Sequence, residues 1–121
     1  MRYLIEEQLR THLSLGKAVE QWLKPYGEDD CTYIRWVRII KENSGQFNVF
    51  YTEAVDEGNL DFLDVYEFSS KDPDEPYGVI DTFDTIAEAL NFAISKYNVS
   101  LTLFVNDGMI QNEYKDHLMN S

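Results

Sequence analysis

The sequence has a single cysteine, Cys31, only three prolines, and ten basic residues against 22 acidic ones. One thiol permits no intramolecular disulfide. A 121-residue chain without that staple fits a reducing compartment, so a cytoplasmic location is expected. No apolar run approaches the roughly 18 residues that cross a bilayer. Two carboxylates, Glu6 and Glu7, stand where a secretory leader needs its apolar stretch. Neither export nor membrane insertion is expected.

Other absences bear on chemistry. The six glycines stand singly, so neither a dinucleotide fingerprint nor a phosphate loop is present. There is no Gly-x-Ser-x-Gly elbow and no Ser-x-x-Lys pair to activate a serine. The two histidines, His12 and His117, lack a neighbouring histidine or cysteine at ligand spacing. Cys31 follows Glu28, Asp29 and Asp30, which oppose thiolate formation. No metal or cofactor is expected, and the chain reads as non-catalytic. With ten bases in all, it is also poorly equipped to displace counterions from a phosphate backbone. Arg35, Arg38 and Lys41 are the only local basic cluster, so nucleic acid is not an expected partner.

What the sequence does contain is core material. Hydrophobic residues make up 44% of it and 14% are aromatic. That composition separates it from a disordered acidic chain. A domain of this size buries roughly two-thirds of the surface its unfolded form exposes. One α+β domain over residues 1–121 is expected.

The periodicities place the elements. Leu4, Ile5, Leu9, Leu13, Leu15, Val19, Trp22 and Leu23 recur at three- and four-residue spacing and predict a helix over 3–24. Ser14 and Gly16 mark a bend or break within it, and Pro25 and Gly27 end it. Residues 31–41 are rich in β-branched and aromatic side chains and predict a strand. Asn43-Ser44-Gly45 is a hairpin turn. Strands follow at 46–55 and 60–69, then a polar loop through Pro73 and Pro76 and a short strand at 79–83. The result is an antiparallel meander of three or four strands.

Residues 84–97 predict a second helix, opened by Thr85 and Glu88 as a capping box and closed by Asn98. Residues 99–107 fit both strand alternation and helical spacing. A helical tail is expected, with 109–118 an amphipathic helix. The second strand faces carry Ile34, Trp36, Ile40, Phe50, Ala54, Leu63 and Val65, too apolar to face water. Either the first helix or a second subunit is expected to cover them.

The charge is unevenly distributed. Residues 1–55 and 89–121 are each close to neutral, at net −1. Residues 56–88 hold eleven acids and one base, Lys71, for a net −10. Such a stretch steers cationic proteins and raises their on-rate. The leading expectation is a small interaction or regulatory protein that docks a basic protein partner through residues 56–75. Asp56, Glu57, Asp61, Asp72, Asp74 and Glu75 would supply the charge, with Trp36 and Tyr77 as aromatic anchors. Nuclease inhibitors and immunity proteins use the same physics, an analogy of charge pattern alone. Two alternatives use other residues. A small-ligand or enzymatic domain would set a pocket between sheet and helix, with Asp64, Arg35 and Arg38 as its polar groups. A structural homodimer would bury the second sheet face.

Overall fold

Helix formation starts at Glu6 and stops sooner than the apolar stripe. In the computed structural model, which describes residues 2–74 and 78–120, α1 spans Glu6–Ser14. Gly16 takes φ +81°. Its N–H bonds the Leu13 carbonyl at 3.1 Å, and the Lys17 N–H bonds that of His12 at 2.8 Å. These two bonds form a Schellman cap, which needs the left-handed residue that glycine supplies. The predicted helix over 3–24 is therefore corrected from residue 15 onward. Val19–Glu28 is a strand, β1.

β1 escaped the pattern because both its faces are covered. Val19, Glu20, Gln21 and Leu23 are all buried, so the strict in-out alternation of a half-wet strand is lost. Pro25 falls within the register shift between Leu23 and Tyr26, an irregularity that tolerates its missing N–H.

The other strands are β2 (Cys31–Lys41), β3 (Phe47–Val55), β4 (Val79–Phe83) and β5 (Val105–Asn106). They form one antiparallel sheet in the order β4-β3-β2-β1-β5. Helix α2 (Ile86–Tyr97) opens with the Thr85 hydroxyl accepting from the Glu88 N–H at 3.1 Å, and closes on Asn98 at φ 59°. Helix α3 (Ile110–Met119) is the predicted amphipathic tail helix. The α+β class and the antiparallel sheet are as expected.

Two core layers result. Val19, Leu23, Val37, Ile39, Phe47 and Val49 pack under α1 and α2, through Leu9, Leu13, Ala89, Leu90 and Ala93. On the opposite face, Ile34, Trp36 and Ala54 pack under Ile110 and Tyr114 of α3 and under Val65 and Phe68. The first helix packs on the other layer instead. This second face is covered by α3 and by the chain between β3 and β4.

That covering chain corrects a second expectation. Residues 60–69 are not a strand. Asn59 and Phe62 exchange backbone bonds across a tight turn, and Val65–Glu67 is one 3-10 turn. β4 takes the position beside residues 47–51 of β3. Segment 60–69 instead drops Val65 and Phe68 onto the sheet. The expected helix over 99–107 is also absent. Only Val105–Asn106 pairs, beside Val19 and Glu20. The Gln21 amide holds the preceding turn by donating to the Ser100 carbonyl and accepting from its N–H, each at 2.8 Å.

Candidate functional site

The sheet face under the 56–74 segment is only partly filled. A cleft of about 330 Å³ remains between Trp36, Arg38, Phe50 and Thr52 on the sheet side and Tyr66 and Phe68 on the other. Strand alternation places the four sheet residues together: Trp36 and Arg38 on β2 point the same way, and register pairs them with Thr52 and Phe50 on β3. The Tyr66 ring meets Trp36 edge-on at 5.8 Å between centroids.

At the β1 end of the cleft lies Glu20, fully buried. Its Oε1 accepts the Tyr66 hydroxyl at 2.8 Å and the Gly108 N–H at 2.7 Å. Among the described residues its Oε2 has no hydrogen-bond partner. The nearest cation, Arg38 Nη1, stands 3.8 Å away and bonds Asp107 instead. Burial pushes the Glu20 carboxyl above the usual glutamate range, against the opposing pull of Tyr66, Gly108 and Arg38. Burial, followed by the charge and hydrogen bond of Glu20, likewise pushes the Tyr66 phenol far up. An acceptor and a guanidinium therefore sit side by side among aromatic rings.

The acidic segment divides into engaged and free carboxylates. Asp56 is half-buried and accepts the Tyr114 hydroxyl, while burial and this carboxylate raise the Tyr114 phenol. Glu57 accepts from the Ser69 N–H and hydroxyl. Asp72 accepts from the Asp74 N–H at 2.9 Å. Asp64 is half-buried and accepts from Gln111 at 3.1 Å. Asp61, Glu67 and Asp74 are exposed, and among the described residues no hydrogen bond or ion pair engages their carboxylates. Lys71 is turned inward, donating to Tyr26 at 2.7 Å and Glu28 at 3.0 Å. Those two bonds raise its ammonium well above the ordinary lysine range.

The other named residues separate. Trp36 is 5% exposed and lines the cleft, not the outer acidic surface. Glu75 and Tyr77 lie outside the described residues. Arg35 and Arg38 are on opposite sheet faces, so the basic cluster of the sequence does not assemble. Cys31 is exposed. Among the described residues no group of three or more His, Cys, Asp or Glu is arranged to hold a metal ion. No described helix is long and apolar enough to cross a membrane. A second concavity, of about 420 Å³, is lined by Tyr51, Glu53, Lys71 and Gly78. Its charged groups already meet each other through Tyr26.

Sequence reasoning missed Glu20 altogether, because it fell inside an assumed helix. The available signal was Gly16: ending the helix there makes residues 19–23 a strand with an acid on one face. Comparisons with protein-family models, with curated proteins and with solved structures find no match for this chain.

Proposed function

We propose that this domain is a non-catalytic interaction module that docks a basic protein through its acidic segment, residues 56–75. The observation that carries the reading is the charge balance of that surface. Residues 56–75 hold eight acids against Lys71 alone, and Lys71 is already engaged by Glu28. Asp61, Glu67 and Asp74 are exposed carboxylates that a cationic partner can pair without first breaking a bond to a described residue. Exposed pairs of this kind contribute mainly to encounter rate and selectivity. The single exposed thiol, Cys31, is compatible with a cytoplasmic setting.

The test reverses charge where no internal bond is lost. In the triple variant Asp61→Lys, Glu67→Lys, Asp74→Lys, far-ultraviolet circular dichroism is expected to match the wild type. Affinity for a lysine- and arginine-rich partner recovered with the wild-type domain is expected to fall at least tenfold. The wild-type affinity is expected to weaken as salt rises, because charges are screened beyond about 8 Å at physiological ionic strength. Undiminished affinity in the reversed protein would sink this reading.

A further inference from the structure

The Glu20 cleft lies on a different set of residues from the outer carboxylates and does not rest on the basic-partner reading. We propose that it binds a small, neutral, planar ligand by an amide edge. The ligand N–H donates to Glu20 Oε2, its carbonyl accepts from Arg38, and its ring lies among Trp36, Phe50 and Tyr66.

Four observations lead there. Among the described residues Glu20 Oε2 is a buried acceptor without a hydrogen-bond partner, and a buried acceptor left open is costly. The carboxyl cannot swing to find one, because Oε1 already takes Tyr66 and Gly108. Arg38 stands 3.8 Å from Oε2, beyond hydrogen-bond range. Its guanidinium carries five N–H groups, and the bond to Asp107 leaves others able to donate. An acceptor beside a donor is the complement of an amide or lactam edge, which presents N–H and C=O side by side.

Charge and shape narrow the class further. Glu20 and Asp107 flank Arg38, so an anion finds no free positive charge. A cation drawn to Glu20 meets the Arg38 guanidinium. A neutral ligand avoids both conflicts. The walls are aromatic faces and edges, which favour a flat ring. A volume of about 330 Å³ is at the small end of ligand pockets and suits one or two fused rings.

The probe is 2-quinolone, an aromatic lactam, titrated into the ¹⁵N-labelled full chain and followed by NMR. N-methyl-2-quinolone is the control, since it keeps ring and carbonyl but has no N–H. Binding is expected to shift the Gly108 amide and the Trp36 indole N–H. The N-methyl compound is expected to bind at least tenfold more weakly. Glu20→Gln gives a second readout. Its carbonyl oxygen must face Tyr66 and Gly108, which leaves its NH₂ where Oε2 stood. The variant therefore offers a donor in place of an acceptor, and 2-quinolone affinity is expected to drop at least tenfold. Should that variant fail to fold, Arg38→Met, at a partly exposed position, removes the other half of the pair and is expected to weaken binding similarly. Equal affinity for both quinolones, unchanged affinity in a folded variant, shifts confined to other surfaces, or no shift at millimolar probe would each overturn the proposal.

Discussion

Glu20 is an acid with no exposed surface. A carboxylate is rarely buried without full pairing, and here one oxygen is left open. Burial raises its proton affinity in the folded state. The unfolded chain releases this proton near the ordinary glutamate value, about 4.3, while the folded protein still holds it. Stability from this group is therefore present below that value and is lost as pH rises through the higher folded-state value. Glu20→Gln removes this loss. Urea unfolding at pH 4 and pH 7 is expected to show the stability difference, variant minus wild type, moving in the variant's favour at the higher pH. A difference that stays constant between the two would contradict the burial account. Asp56 shows the limit of reading residues singly. Its sequence neighbourhood marks it as a surface acid, yet Tyr114, 58 positions away, consumes it. No local pattern predicts a partner at that separation.

At the scale of elements, legibility follows locality. Helix α2 is bounded by Thr85 and Asn98, and both signals lie within four residues of the bonds they make. The β2–β3 hairpin is set by Asn43-Ser44-Gly45 in the same way, with Gly45 at φ 90°. The end of α1 is also local: Gly16 closes it. The apolar spacing runs on through the break, because α1 and β1 both contribute to the layer under the helices. Gly16 meets nothing within 4 Å of an added Cβ, so conformation alone opposes a side chain there. Gly16→Ala is expected to lower stability by about 1 kcal/mol, measured by urea denaturation, with the native fold retained. A neutral or stabilising result would mean that the Schellman bonds do not define the turn from α1 into β1. The 60–69 segment failed as a strand for a different reason. It alternates like one, but β4 holds the adjoining position on β3, and the second sheet face still needed a cover.

At the scale of the molecule, the acidic segment does two jobs at once. Its inner side chains, Val65 and Phe68, close the second core, while its outer carboxylates face solvent. Close approach makes this possible. A Cβ on Gly58 would stand 2.4 Å from the Phe68 ring, 2.5 Å from the Phe62 carbonyl oxygen and 2.8 Å from the Tyr114 hydroxyl. Two of those three neighbours belong to buried side chains with little room to yield. Gly58→Ala is expected to cost about 1–3 kcal/mol and to loosen the segment over Trp36. Chemical denaturation gives the first quantity, and hydrogen exchange of residues 56–70 gives the second. Wild-type protection in that segment would show that the packing accommodates the methyl group.

The sequence alone determined the α+β class, strands β2, β3 and β4, helices α2 and α3, and the concentration of negative charge in one third of the chain. Each of these rests on short-range periodicity, capping chemistry or simple counting. The tertiary structure decided that residues 19–28 are a strand, that 60–69 are a cover, and that 99–107 form a turn into a two-residue strand. It also placed Glu20 beside Arg38 in an aromatic cleft. These features depend on burial from both sides and on partners tens of residues away. A sheet covered on both faces erases the alternation that would have announced its first strand, and with it the position of Glu20, a buried carboxylate that the fold leaves half satisfied.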